Sequence, residues 1–146
     1  MSGSCKKPSI PTSLPELTTT EAKVRIDDGY LFISSGGNIT SDGGLPLHAR
    51  GGCWSTNQLP TLADKKTMDG QGTGIFSSNA KDVFQRLTTY YLRAYATNNL
   101  GTAYGNQVSV TTPCVWGIDY LEQYKYVILN IPIDGAVGQP TKSVNL

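Results

Sequence analysis

Tyr90, Leu92, Ala94 and Ala96 alternate with Tyr91, Arg93, Tyr95 and Thr97 inside the stretch Thr88 to Thr112, TTYYLRAYATNNLGTAYGNQVSVTT. A period of two marks a strand with one face on a core and the other in water. Asn98-Asn99-Leu100-Gly101 supplies turn chemistry, because Asn and Gly tolerate positive φ. A second run from Ala103 to Thr112 follows, with β-branched Val108, Val110, Thr111 and Thr112. Together the two runs predict a β-hairpin, the strongest local signal in the chain.

Shorter runs of the same kind precede it. Ala22 to Ile26 predicts a first strand, Asp27-Asp28-Gly29 a turn, and Tyr30 to Thr40 a second strand. Gly36-Gly37 inside that strand marks a bulge or a close approach. After the turn Ser41-Asp42-Gly43-Gly44, Pro46 to Ser55 predicts a third strand. The parity of Trp54 relative to Gly51-Gly52 leaves it either on the core or exposed. Thr61 to Thr67 predicts a short edge strand, guarded by Lys65 and Lys66, and Thr73 to Ser78 another strand. Asn79 to Leu87 then forms a corner with room for one helical turn. Strands recur at roughly 8–12 residues with no 3.6-residue period between them, which predicts an all-β antiparallel sandwich of about seven strands.

The chain has 146 residues, whereas a sandwich of this kind needs about 100. The division expected is an extended Pro/Ser/Thr-rich arm over 1–20, the sandwich over 21–113 and a C-terminal arm over 114–146. Pro8, Pro11 and Pro15 keep the first arm extended, either as a linker or as an arm docked on a neighbouring subunit. In the second arm Trp116 and Tyr120 look like anchors. Tyr124, Tyr126, Val127, Leu129 and Ile131 belong to one strand-forming run that is apolar on both faces over its second half. Such a strand should not sit in water: it adds either to its own sandwich or to a sheet on a partner chain.

The hairpin, together with SGGNITSDGG (Ser35 to Gly44), ARGGCWST (Ala49 to Thr56) and DGQGTGIF (Asp69 to Phe76) in that order, resembles fibronectin type III-like, immunoglobulin-like modules in surface proteins and lipoproteins of Bacteroidetes-type bacteria. The resemblance spans about Glu16 to Pro113. It implies that Tyr90 hydrogen-bonds back across the corner leading into its strand, with Thr88 two residues before it. Phe84 stands where the family usually has leucine, and Arg86-Leu87 where it has Pro-Gly. The corner loop is therefore expected to be rebuilt. Cys53 matches a cysteine usual in the family.

The sibling modules are mostly exported, yet the chain opens at Met1 without a charged and apolar leader. Three readings stay open: a trimmed chain, an export signal upstream, or a protein never exported, such as a phage virion subunit. Phages of these bacteria use immunoglobulin-like folds as capsid decorations and fibres. Ser2-Gly3-Ser4-Cys5 looks like the end of a lipobox, which makes Cys5 a candidate for lipidation.

A formal charge of +1, with Lys and Arg scattered, gives no basic stripe for nucleic acid. No apolar run approaches the roughly 20 residues of a membrane-spanning helix. His48 is the only histidine and lies on an ordinary strand run, so a catalytic base is not expected. Cys5, Cys53 and Cys114 lack metal-ligand spacing, and a Cys53–Cys114 disulfide is not expected. Asp42, Asp64 and Asp69 fit turns better than a calcium loop, and no helix follows Gly70 to Gly74 to offer a phosphate its N-terminus. No cofactor is expected. Tyr91, Tyr95 and Tyr104 should share the outward face of the hairpin and, with Trp54, form a candidate binding face for a glycan or a protein. Outward tyrosines also stabilise cross-strand pairs without any ligand. Two non-enzymatic readings result. One is a structural display or adhesion module fastened to a bacterial surface or a virion, with a protein partner or self-assembly. The other is a carbohydrate- or protein-binding accessory module.

Overall fold

The computed structural model describes residues 3, 8–28 and 30–114. The candidate residues Cys5, Trp116, Tyr120, Tyr124, Tyr126, Val127, Leu129 and Ile131 lie outside them. Among the described residues the fold is all-β, and Asn79 to Leu87 holds no helical turn. The strands are β1 (Glu16–Thr19), β2 (Lys23–Asp27), β3 (Tyr30–Ser41), β4 (Ala49–Ser55), β5 (Lys65–Lys66), β6 (Gly74–Ala80), β7 (Thr89–Asn98), β8 (Gly101–Tyr104) and β9 (Val108–Thr111).

They form two antiparallel sheets. In the first, β3 carries β1 and β2 end to end along one edge and β6 along the other. In the second the order runs β5, β4, β7, with β8 and β9 end to end beside β7. The nine strands thus occupy seven positions, because two outer strands are each interrupted once. Between the pairs Thr19↔Gly37 and Lys23↔Ser34, residues 20–22 stand opposite only 35–36. Between Tyr95↔Tyr104 and Leu92↔Val108, residues 105–107 stand opposite only 93–94. Each is a one-residue bulge, which bends and twists an edge.

The two bulges meet. Thr19 donates its backbone N–H to Asn106 Oδ1 at 2.9 Å, and its hydroxyl accepts from the Ala94 N–H at 2.9 Å. This stitch closes one side of the sandwich. The sandwich therefore begins at Glu16, inside the segment expected to be a free arm, and the chain before it also lies on its own domain. Ser13 donates its N–H to Gly43 O at 2.8 Å, and the Ser13 carbonyl accepts from Asn98 Nδ2 at 2.8 Å. The predicted second strand of the hairpin is likewise two short strands, since Gly105 to Gln107 form the bulge.

Between the sheets, Ile39, Leu47, Phe76, Ala94 and Ala96 form the central cluster, with Leu17 packed against it. Gly36-Gly37 is a close approach rather than a bulge, since the register with β6 runs through it unbroken. A Cβ on Gly37 would lie 2.7 Å from the Ala94 Cβ across the core. Trp54 pairs with Leu92 and so faces inward, where it is 5% exposed.

Candidate functional site

Three places hold the side chains on which the sequence drew attention: the corner before β7, the outward face of the β4–β7–β8 sheet, and the loop ends around His48.

At the corner, alternation turns Tyr90 toward the core, where it is buried. Its hydroxyl accepts the Gln85 N–H at 2.9 Å, which is the backward bond across the corner. The Phe84 ring meets Tyr90 edge-on, with centroids 5.0 Å apart, and lies 6.4 Å from Trp54. Thr88 closes the turn locally, its hydroxyl donating to Arg86 O at 3.0 Å. Thr112, a β-branched residue at the end of the hairpin, ties the end of the domain to this corner. Its buried hydroxyl donates to Gln85 O at 2.6 Å and accepts the Thr88 N–H at 3.0 Å. Leu87, at the expected glycine position, has φ of 52° and an exposed side chain. The corner thus makes a left-handed turn without the residue that adopts it most easily.

Beside the corner lies an open cleft of about 550 Å³, lined by Trp54, Asp64, Lys65, Asp82, Val83 and Tyr90 among others. Two of its charges are paired with each other: Lys65 Nζ meets Asp82 Oδ2 at 2.6 Å, and Trp54 Nε1 donates to the same oxygen at 3.3 Å. Partial burial pushes the Asp82 carboxyl up, but bonds from Lys65, Trp54 and the Val83 N–H outweigh it and hold it below its ordinary value.

The outward face of the second sheet corrects the expected binding face. Tyr95 does point away from the main core, but it is only 2% exposed. The connection from β4 to β6 folds back over it, and its hydroxyl donates to Thr67 O at 2.6 Å. Tyr104 is half-buried, accepts the Leu62 N–H at 3.1 Å, and has the Arg93 guanidinium 4.6 Å above its ring. Cys53 and Pro60 are fully buried on the same side, with Cys53 Sγ 3.4 Å from Pro60 O. These residues make a second, smaller core outside the sandwich. The expected four-aromatic platform does not exist: Trp54 faces inward, Tyr95 lies under the loop, and only Tyr91 and Tyr104 stay half-exposed. Among the described residues the most exposed aromatics are Tyr30 and Phe32, on the outer face of the other sheet, where β-strand alternation alone gave no reason to single them out.

His48 precedes β4 rather than lying within it, and its Nε2 is hydrogen-bonded to Asn99 Oδ1 in the β7–β8 turn. The loop aspartates serve their own turns, as Asp42 accepts from Gly44 N at 2.8 Å, Asp64 from Thr61 N at 2.9 Å and Asp69 from the Thr67 hydroxyl at 2.7 Å. No group of three metal-ligating side chains forms among the described residues. Cys53 and Cys114 are free thiols, the first buried and the second exposed. Burial pushes the Cys53 thiol up to about 11 and also raises the Tyr95 phenol. Among the described residues no helix is long and apolar enough to cross a membrane. A scan against protein-family models found no match to this chain, and a search of curated proteins found none either.

Proposed function

We propose that the chain is a non-catalytic display or adhesion module of the fibronectin type III-like kind, fastened to an outer surface or assembly. The candidates are a bacterial cell-surface lipoprotein anchored through Cys5 and a decoration or fibre protein of a phage virion. The observation that carries the reading is the Tyr90 corner: its phenol on Gln85 N, with Thr112 fastening the last strand to the same loop. Such a corner is a hallmark of immunoglobulin-like sandwiches. The side chains with chemical potential support the same reading, because Tyr95, Tyr104 and Cys53 each hold a loop to a strand and His48 is bonded to the β7–β8 turn.

The glycan-binding alternative draws less support, since its platform needed Tyr95 and Trp54 at the surface and both are buried. The test is immunogold labelling of intact source cells and of purified phage particles with an antibody to this chain. Label on either exterior is the expected result. Label confined to the cell interior, with none on particles, overturns the proposal.

A further inference from the structure

Strand pairing lays out the outer face of the β1/β2–β3–β6 sheet row by row. Asp27 stands opposite Tyr30, Arg25 opposite Phe32, and Lys23 opposite Ser34, which in turn stands opposite Asn79. Alternation puts Ile33, Phe76, Ser78 and Ala80 on the core side, where they are buried, so these rows face away from it. Ser77 lies two residues from Asn79 on the same outer side. Thr20, Glu21, Lys23, Ser34, Ser77 and Asn79 are among the residues lining an open groove of about 400 Å³, a size suited to a small ligand. The groove borders the bulge at residues 20–22, where the edge chain bends away from regular pairing. Phe32, 36% exposed, occupies the next row, and Tyr30, 70% exposed, the row beyond it. On the other sheet Tyr95 and Tyr104 are hydrogen-bonded to the loop that crosses them. In the groove the ties are loose. The Ser34 hydroxyl reaches Lys23 O at 3.5 Å, and the Lys23–Glu21 pair is 3.9 Å apart with both side chains in water, so neither contact holds its groups firmly.

We propose that this groove binds a neutral oligosaccharide, its hydroxyls meeting Ser34, Ser77, Asn79 and the Lys23–Glu21 pair while a sugar ring lies against Phe32. The inference rests on the adhesion part of the proposed function and names its ligand class. The site lies on the other sheet from the platform that Tyr95 and Trp54 do not make. Hydroxyls, an amide, an ammonium and a carboxylate offer donors and acceptors together, which matches a sugar hydroxyl, itself both donor and acceptor. Lys23 and Arg25 are balanced by Glu21 and Asp27, so the surface has no net charge to draw a polyanion. Serine, lysine and glutamate are depleted at protein interfaces, whose centre is apolar, whereas this groove is polar and the two rings lie to one side of it. An aromatic face offers a flat apolar surface to the C–H side of a sugar ring while polar neighbours take its hydroxyls.

The experiment uses the full chain, isotope-labelled for NMR, titrated with cellohexaose, xylohexaose, mannohexaose and laminarihexaose to millimolar concentration. The expected result is that at least one of these sugars shifts the amide signals of Phe32, Ser34, Ser77 and Asn79 together and saturably. Phe32→Ala should weaken that binding about tenfold, and Asn79→Ala about fivefold. Tyr91→Ala, on the other sheet, should leave it unchanged. If Phe32→Ala unfolds, the exposed Asn79→Ala carries the test. Silence from every sugar overturns the proposal, as do shifts centred on Tyr91 and Tyr104, or an affinity unchanged in the groove variants. Shifts of the same residues on raising the protein concentration without sugar make the face a protein contact and overturn it too. None of these failures touches the display reading, which the location of the antibody label decides. Label confined to the cell interior removes that reading and leaves sugar binding in the groove measurable.

Discussion

Tyr90 and Leu87 sit three residues apart and pull the corner in opposite energetic directions. Tyr90→Phe keeps the ring against Phe84 but leaves the Gln85 N–H without its partner, so we expect a loss of about 1–2 kcal/mol in chemical unfolding. Leu87 is held at φ of 52°, where a side chain with a Cβ is disfavoured, and it is 70% exposed, so little burial is lost with it. Leu87→Gly should raise stability by about 0.5–1 kcal/mol after the extra chain entropy of glycine is set against the relieved strain. A destabilised Leu87→Gly would mean that the exposed leucine side chain contributes packing in solution. The role of Tyr90 was legible from its place in the alternating run and from the resemblance. That of Thr112 was not, because a threonine at a strand end looks the same whether its hydroxyl meets water or a carbonyl.

Between single residues and the whole fold stands the β4–β6 connection, the element that decides the fate of the supposed binding face. Alternation puts Gly51, Cys53, Arg93, Tyr95 and Tyr104 on the outward side of the second sheet. Outward then means solvent only if nothing lies across it, and here the Thr56–Thr67 stretch does. Gly51 makes room for it: a Cβ there would stand 2.4 Å from Thr67 O and 2.9 Å from the Tyr95 ring. Gly51→Ala should therefore lift the loop from the sheet and cost about 1–3 kcal/mol, read as a lower melting temperature. Unchanged melting would show that the loop adapts to the methyl group.

At the scale of the molecule, the two groups buried under that loop make stability depend on alkaline pH. The folded chain holds the Cys53 proton to about pH 11 against an ordinary value of 9.0, and the Tyr95 phenol is raised in the same sense. Both pKa values are higher folded than unfolded, so the stabilisation is fully present below the unfolded values and is lost as pH rises through the folded ones. Denaturant midpoints should fall between about pH 9 and 11, and less so in Cys53→Ala. Thiol labelling near neutral pH should modify exposed Cys114 and spare Cys53 until the chain unfolds. Taken by itself, the amino-acid sequence determined that this is an antiparallel all-β fold and where the central strand β7 runs. Those follow from side-chain period and turn chemistry, which are local. Tertiary structure alone decided that Tyr95 and Trp54 are hidden and that two bulged edges meet at Thr19. Each of these depends on what lies across a sheet face or beside a sheet edge, and no period of two records that.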